Sequence, residues 1–273
     1  MTAAHCTLHE LLAVTIARTI QDGEVGFTGL ATGGPAALYA TGIPLAAMEL
    51  ARRTHAPNLT LVLAGWLINP NLQELTALPA AEFDPALLRL SCESQLMDYP
   101  GQYALRRGDI DFGFSAGVQV DVEGNLNSVC VGDPARPKVR LVGPILIPEH
   151  MAVFGREVIM MPHHEHRNFV QHVDYVAGVG YPGGSAGRAK LGLPHGGPEL
   201  VVTPKCIFGF DKAAGRAVVR SIHPGVRADA LQEATGFDLG DLRDVPQTVP
   251  PTREELEILR REVNPRGVLL PLP

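Results

Sequence analysis

Cysteine and tryptophan are scarce in this sequence of 273 residues, which has four of the former and one of the latter. The cysteines, Cys6, Cys92, Cys130 and Cys206, stand far apart in the sequence, and no two of them form a CxxC pair. This spacing argues against a disulfide framework and against a zinc ribbon, and it suits a reducing compartment. The sequence therefore predicts a cytoplasmic protein.

Positive charge and long apolar runs are also in short supply. The formal net charge is −6, and no cluster of lysine and arginine exceeds a few residues. A nucleic-acid partner or an anionic membrane surface is therefore not expected. No basic start leads into an apolar segment, and no apolar run has the length that a bilayer requires. We expect neither a secretory signal nor a membrane-spanning helix, and no internal repeat is visible.

What the chain does have is hydrophobic residues, at 45% of the total, which is enough for a large core. In the first third they follow helical and strand periods in turn, punctuated by caps, proline and Asp-Gly or Pro-Asn turns. The first predicted element is a helix from Thr7 to about Ile20, because Thr7 and Glu10 fit a capping box. A strand over residues 24–28 follows, then a helix with Pro44 in its first turn. A buried parallel strand is predicted over residues 59–63.

The same alternation continues to the end of the chain. Further predicted strands cover residues 139–142, 158–161, 173–177, 200–203, 207–210 and 217–222, and further predicted helices cover residues 165–171, 227–234 and 253–263. Such alternation predicts an α/β fold with a mostly parallel sheet, in a single domain over residues 1–273. Ligands of open sheets bind beyond the carboxyl ends of strands, which directs attention to the segments after Thr28, after Leu63 and around Gly117.

Residues 117–127, GVQVDVEGNLN, form the most informative stretch. Val118, Val120 and Val122 alternate with polar residues, which is the period of a half-buried strand. The Glu-Gly-Asn sequence that follows predicts a tight turn, because glycine and asparagine tolerate positive φ. An ordinary hairpin explains this pattern. The alternative is a backbone that approaches a ligand, since the residues before the strand, FSAG, are mostly small.

The sequence resembles the B (β) subunit of the glutaconate CoA-transferase type, within the family I CoA-transferases, over nearly its whole length. No single motif is decisive, but their order and spacing are specific. The residues that carry the resemblance are 11–25, 56–58, 117–127, 158–176, 187–194, 198–203, 233–239 and the closing Asn264-Pro265. SIHPGV (221–226) and VAGVGY (176–181) also resemble a branch that opens a ring of steroid-derived acyl-CoA by hydrolysis.

The resemblance implies an open three-layer α/β/α sandwich that works as a heterodimer or heterotetramer of A (α) and B subunits. It implies a coenzyme A thioester of a dicarboxylate or ring-derived acyl group as substrate, with no bound cofactor and no metal. Transferases of the family carry a nucleophilic glutamate after the strand that corresponds to residues 59–63. Aligned on Ala56-Pro57, this chain has Ala64 there, and a methyl group can neither attack a carbonyl nor store CoA covalently. The catalytic residues are therefore unknown.

The resemblance also places backbone amides near the thioester oxygen, here those of Gly117, Val118 and Gln119. Such donors stabilise a developing oxyanion or enolate, typically by a few kcal/mol each. Gly65, which follows Ala64, is taken with them as a substrate-binding residue. Trp66 would either form a wall of the pocket or belong to the core.

Three interpretations of the function remain open. The chain is a subunit of a CoA-transferase; or it belongs to an acyl-CoA hydrolase, C–C lyase or decarboxylase that uses the oxyanion site without covalent transfer; or it is a non-catalytic partner that shapes the acyl-CoA cleft. A homo-oligomer that works alone is a further possibility.

Other groups that could carry chemistry have plainer explanations. Glu74, Glu82 and Glu93 follow position 64, but surface glutamates are common. His163, His164, His166 and His172 cluster around Glu165, yet H-H-E-H is not a zincin motif and a structural or interface role is favoured. The GGSAGRAK stretch (183–190) lacks the ending of a phosphate loop, and no G-x-S-x-G elbow supports a serine hydrolase.

Overall fold

The computed structural model describes residues 5–31, 33–96, 108–193 and 195–273. The chain divides into two compact units. The first comprises the described residues up to 96 together with 109–114 and 249–273, and the second comprises 108 and 115–248. The prediction of one domain over residues 1–273 stays a prediction.

The first unit begins with helix α1 (Leu8–Ala17), whose N-terminus is the predicted capping box of Thr7 and Glu10. Strand β1 (Val25–Thr28) follows, and then a helical stretch made of α2 (Gly34–Ala37), a π-helical turn (Leu38–Gly42) and α3 (Ile43–Thr54). Pro44 lies in the first turn of α3, where its missing N–H costs nothing. Both predicted helices of this region and its first strand are confirmed.

Parallel strands form the centre of the first unit's sheet. Strand β1 lies between β2 (Thr60–Leu63) and the first three residues of β5 (Phe112–Ala116) and is parallel to both. The antiparallel strands β3 (Leu67–Ile68) and β4 (Ser94–Gln95) continue the sheet beyond β2. Two 3₁₀ turns (Leu72–Glu74, Leu87–Arg89) lie between them, and α7 (Arg253–Ile258) with a π-helical turn (Leu259–Val263) completes the unit.

The second unit pairs β10 (Arg156–Met160) in parallel with β12 (Pro198–Val202), and β13 (Cys206–Asp211) and β14 (Arg216–Ile222) continue antiparallel. A small sheet joins β6 (Gln119–Asp121) to β7 (Leu126–Asn127) and to β11 (Phe169–Val170), and a separate hairpin pairs β8 (Cys130–Val131) with β9 (Val139–Arg140). Its helices are α4 (Ile147–Val153), α5 (Gly184–Lys190) and α6 (Ala228–Glu233). No helix in the described ranges combines the length and the hydrophobicity that crossing a bilayer requires.

Two predicted elements of the second unit are wrong. Residues 165–171 form a turn followed by β11 rather than a helix. The reason is that the side-chain amide of Asn168 donates to the Val118 carbonyl and the backbone carbonyl of Asn168 accepts the Val120 N–H. Residues 173–177 form no strand. Their first amides bond to the side chains of Asp121 and Gln119 instead of to a neighbouring strand.

Candidate active site

The carboxyl ends of β1 and β2 lie side by side in the first unit, next to β5. Thr28, the last residue of β1, is in register with Leu63 of β2 on one side and with Phe114 of β5 on the other. Ala64 follows Leu63 directly and donates its N–H to the Thr28 carbonyl at 2.9 Å. Position 64 therefore lies at the edge of a parallel sheet where ligands of such folds bind.

The backbone at position 64 is in the left-handed region. Ala64 has φ of 56° and Gly65 has φ of 78°, and the turn closes with the Trp66 N–H donating to the Leu63 carbonyl at 3.2 Å. Glycine adopts this conformation freely, whereas alanine adopts it at a cost of roughly 1–2 kcal/mol. The turn holds Ala64, whose side chain is half-buried, in a backbone conformation that alanine disfavours.

Trp66 is a core residue with a structural hydrogen bond. Its side chain is buried, and its indole Nε1 donates to the Glu82 carbonyl at 2.9 Å. Buried tryptophan usually finds such a partner for its N–H. The bond fixes the loop that contains residue 82 against the turn at Ala64.

Two of the glutamates that follow position 64 accept hydrogen bonds from nearby loop residues. Glu74 accepts the Ser91 N–H at 2.8 Å and the Asn71 side-chain amide at 3.0 Å, and Glu93 accepts the Asn69 side-chain amide at 2.6 Å. Both glutamate side chains are exposed. These contacts give the two carboxylates a part in loop structure.

In the second unit, Gly117 lies at a close approach of two backbone segments. A Cβ added at Gly117 would lie 2.5 Å from the Asn127 carbonyl oxygen and 2.5 Å from Leu126 Cδ1. The next residue, Val118, donates its N–H to the same Asn127 oxygen at 2.8 Å. The Val118 amide is therefore used within the fold, whereas no backbone acceptor for the Gly117 amide lies among the described residues.

Gln119 is buried and hydrogen-bonded through both side-chain ends, so the predicted half-buried alternation is wrong at this residue. Its Oε1 accepts from the Asn127 side chain at 2.7 Å and from the Asp174 N–H at 3.1 Å, and its Nε2 donates to Asp174 Oδ2 at 3.0 Å. A buried amide is tolerated when its hydrogen bonds are made. The Gln119 side chain thus holds β6 to β7 and to the segment that contains Asp174.

Asp121, two residues further along β6, also bonds to neighbouring backbone. It is buried too, against the predicted alternation. Its carboxylate accepts the N–H groups of Glu123 and Asn125 at 3.1 and 2.9 Å and the Asn125 side-chain amide at 2.9 Å. Burial raises the pKa of Asp121, against the lowering effect of the Asn125 donors. The polar residues of the GVQVDVEGNLN stretch therefore brace a hairpin.

A buried polar cluster lies immediately before this segment, and sequence reasoning missed it. The Ser115 hydroxyl donates to Glu157 Oε1, and His150 Nδ1 lies 3.4 Å from the Ser115 oxygen and 3.5 Å from Glu157 Oε1. All three side chains are buried, and the second carboxylate oxygen of Glu157 has no hydrogen-bond partner among the described residues. The available signal was a lone acidic residue at the start of the apolar run EVIMM.

The histidine cluster does not form a metal site in the described residues, which contain no group of three possible ligands. His164 is buried, whereas His163, His166 and His172 are exposed. Desolvation lowers the pKa of His164 to about 3, so the imidazole is neutral near pH 7.

Cys206 lies beside this imidazole, with its sulfur 3.9 Å from His164 Nδ1. Burial raises the pKa of Cys206 to about 12, so the thiol stays protonated and is a poor nucleophile. The pair is part of the core.

The glycine-rich stretch at 183–190 folds into α5 and carries a buried arginine. Arg188 donates to the carbonyls of Val179, Gly180, Met151 and His195. A guanidinium with all its donors directed at backbone carbonyls holds loops together and is not available to bind a nucleotide phosphate.

Comparison with known proteins agrees with the fold and with the resemblance. The family model described as Coenzyme A transferase matches residues 101–234. The chain is 33% identical to the B subunit of 3-oxoadipate CoA-transferase from Pseudomonas knackmussii, over 92% of this chain and 91% of the relative. It is 30% identical to the B subunit of glutaconate CoA-transferase from Acidaminococcus fermentans, over 98% of this chain and 96% of the relative.

A shorter match joins residues of this chain to the cholesterol ring-cleaving hydrolase IpdB subunit of Rhodococcus jostii, 29% identical over 55% of this chain and 58% of that protein. The crystal structure of glutaconate coenzyme A-transferase from Acidaminococcus fermentans superimposes with a TM-score of 0.81 at 28% identity, covering 99% of this chain and all of the matched chain. The predicted CoA-transferase-like α/β fold class is confirmed. By sequence and by fold, the chain is a member of the coenzyme A transferase family of enzymes.

Proposed function

We propose that this chain is the B subunit of an enzyme that acts on an acyl-CoA thioester together with an A subunit of the same family. The two relatives matched over more than nine-tenths of this chain are both named as the B subunit of a CoA-transferase. The names of these relatives also support a small acyl-CoA substrate and a heteromeric enzyme.

The observation that carries the proposal is the geometry of position 64. The residue follows the parallel strand β2, donates its N–H to the end of β1 and has a left-handed backbone conformation. A tight turn of this kind would present the side chain of the residue at the end of the strand. In this chain the presented side chain is a methyl group. It supplies no oxygen to attack a thioester, so position 64 cannot hold CoA covalently.

Without a covalent carrier, the chemistry that remains is stabilisation of charge on the thioester oxygen. We propose the Gly117 amide as a donor to that oxygen, with the Gln119 amide beside it. Gly65 is proposed separately as a substrate-binding residue. The Val118 amide serves Asn127 instead, so its role is to fix the strand. A preorganised amide donor of this kind typically lowers a barrier by a few kcal/mol.

This chemistry suits hydrolysis of an acyl-CoA, or C–C cleavage or decarboxylation next to the thioester. Each of the latter two produces a carbanion whose charge is delocalised onto the same oxygen. The match to the ring-cleaving hydrolase subunit supports this branch. CoA transfer is the second candidate, because the relatives with the greatest coverage are transferases, and it would require a nucleophile from the A subunit.

The test compares three forms of the reconstituted A–B complex: wild type, A64E and A64Q. Each is incubated with an acyl-CoA and a free carboxylate, and CoA exchange and hydroxylamine-sensitive adducts on this chain are measured. We expect no adduct on the wild-type or A64Q chain, and an adduct on A64E, whose carboxylate would stand at the strand end. Robust exchange through a hydroxylamine-sensitive thioester on the wild-type chain contradicts the proposal.

A further inference from the structure

The hairpin of β8 and β9 exposes three cations within five residues. We call residues 130–140 the basic hairpin; it carries Arg136, Lys138 and Arg140, and all three side chains are exposed. In a chain whose formal net charge is −6, such a concentration of positive charge is unusual. Clustered cations on one element create a local potential that attracts anions.

The strand pairing places two of these cations on one face. Arg140 is paired with Cys130, and the Lys138 N–H donates to the Val131 carbonyl at 2.9 Å, so the chain from 138 to 140 is extended. Alternate residues of an extended chain project to the same side. Lys138 lies across from Gly132, where a Cβ would meet Lys138 Cγ at 3.3 Å, so the absence of a side chain at 132 leaves room for the lysine stem.

The charges of the basic hairpin are not neutralised by the described part of the protein. No described carboxylate forms an ion pair with Arg136, Lys138 or Arg140. Two acidic residues lie nearby and have other partners: Asp133 accepts the Ala135 N–H at 2.8 Å within the turn, and Asp174 Oδ2 accepts the Gly132 N–H at 2.8 Å. The hairpin thus presents guanidinium and ammonium donors to solvent.

The base of the basic hairpin is bonded to the residues that brace the Gly117 segment. Asp174 Oδ2 accepts from Gly132 and also from Gln119 Nε2, at 2.8 and 3.0 Å. Asn127, which accepts the Val118 N–H on its carbonyl, donates its side-chain amide to the Cys130 carbonyl at 2.7 Å. The hairpin is therefore fixed relative to the proposed amide donors, and its tip, five residues from Cys130, extends at most about 16 Å further at about 3.3 Å per residue.

We propose that Arg136, Lys138 and Arg140 bind the phosphate groups of the coenzyme A part of the substrate. The inference rests on the proposed function and adds to it a binding site for the nucleotide end. Coenzyme A carries its phosphates at the opposite end of a flexible pantetheine arm from the thioester, so an enzyme that holds the thioester at Gly117 needs a separate anion site at some distance. Arginine and lysine are the side chains suited to phosphate, through charge-assisted hydrogen bonds.

The experiment uses the complete A–B complex and compares an acyl-CoA with the same acyl group on pantetheine, which lacks the nucleotide phosphates. The variant is R136A/K138A/R140A. The control is R89A/K190A/R261A, which removes three exposed cations elsewhere that form no described ion pair. We expect the hairpin variant to raise KM for the acyl-CoA roughly tenfold or more, with kcat and all pantetheine kinetics unchanged within about twofold.

Calorimetric titration with coenzyme A provides a readout that does not need turnover. We expect the hairpin variant to bind coenzyme A more weakly by a similar factor, and to lose most of the salt dependence that the wild type shows, because exposed charge contacts are screened. The control variant should behave as the wild type does.

Equal effects on both thioesters, or no effect on coenzyme A binding, would overturn the inference while leaving the proposed function intact. Loss of A–B association in the hairpin variant would also overturn it, because the cations would then contact an acidic surface of the partner. A wild-type complex that neither binds coenzyme A nor acts on acyl-CoA would overturn the proposed function together with this inference.

Discussion

At the scale of single residues, the polar side chains of residues 117–127 stabilise the backbone around them. Gln119 and Asp121 sit in the most recognisable stretch of the chain, yet every contact of their side chains is to neighbouring loops and strands. Gly117 has no side chain, and the space beside it is already filled by the Asn127 carbonyl. Its contribution is therefore made by its amide and by the close approach that only glycine permits.

Replacing Gly117 by alanine tests this directly. The added methyl group would lie 2.5 Å from a backbone oxygen, so the segment must shift and its amide must move with it. We expect kcat of the A–B complex to fall by about 10²-fold or more, the range seen when an oxyanion donor is lost.

The control for Gly117→Ala is Gly29→Ala, where a methyl group meets nothing closer than Phe27 Cε1 at 3.9 Å. Unfolding by urea separates a loss of amide placement from a loss of folding. A G117A complex that keeps the wild-type kcat, while folding normally, would argue against an amide role for this residue.

At the scale of elements, neutral imidazoles connect strands to the loops and helices around them. His164 Nδ1 is 2.9 Å from the Thr203 hydroxyl, just after β12, and Nε2 is 3.0 Å from the Thr235 hydroxyl, just after α6. Its ring stacks on Phe169 of β11 with centroids 4.0 Å apart. One buried side chain thus joins three elements, provided that it stays uncharged.

This arrangement predicts a dependence of stability on pH. Desolvation, and then the nearby Lys205 and His223, lower the pKa of His164 from 6.5 to about 3 in the folded state. Between those pH values the unfolded chain binds more protons than the folded chain. The contribution of His164 to the free energy of unfolding is therefore fully present above about pH 6.5 and decreases as the pH drops. At roughly 1.4 kcal/mol per pKa unit, the loss reaches a few kcal/mol near pH 4.

Urea unfolding of this chain at a series of pH values measures that loss. We expect H164Q to be less stable than the wild type at pH 7 but to lose less stability between pH 6.5 and 4. The exposed residue His172 provides the control, and H172Q should follow the wild-type curve. An unchanged slope in H164Q would show that other groups cause the acid sensitivity.

At the scale of the whole molecule, two compact units are built from one chain. The first holds the turn at Ala64, and the second holds the Gly117 segment and the basic hairpin. The buried Ser115–Glu157–His150 cluster belongs to the second unit, and its Ser115 follows Phe114, the last β5 residue of the first unit, in the chain. The carboxylates of Glu74, Glu93 and Asp121 all accept hydrogen bonds from neighbouring residues, which agrees with a chemistry completed by a second subunit.

A partner that binds only the folded chain must stabilise it. We expect the midpoint of thermal unfolding to rise with the concentration of the A subunit, by an amount equivalent to about 2.7 kcal/mol when free partner is at 100 times Kd. Scanning calorimetry of the two chains, apart and mixed, checks this, and size-exclusion chromatography gives the stoichiometry. Full activity from the lone chain with no shift on mixing would point to a protein that works by itself.

Local sequence was sufficient wherever a short-range rule decides the structure. The capping box at Thr7, the apolar run over residues 59–63 and the Glu-Gly-Asn turn predicted α1, β2 and the hairpin of β6 and β7, because each depends on neighbours within a few residues. Family resemblance supplied the fold class and the position of Ala64. It also suggested the three amides, of which the structure leaves Val118 bonded to Asn127.

Tertiary structure decided what depends on residues far apart in the chain. Gln119 and Asp121 look exposed in an alternating strand, but the segment around Asp174, about fifty residues later, covers and bonds them. Residues 165–171 have a helical pattern, yet pairing with β6 turns their end into a strand. Glu157 finds Ser115 across 42 residues of sequence. A pattern along the chain carries no record of such partners, because buried hydrogen bonds are satisfied in space and not in sequence order.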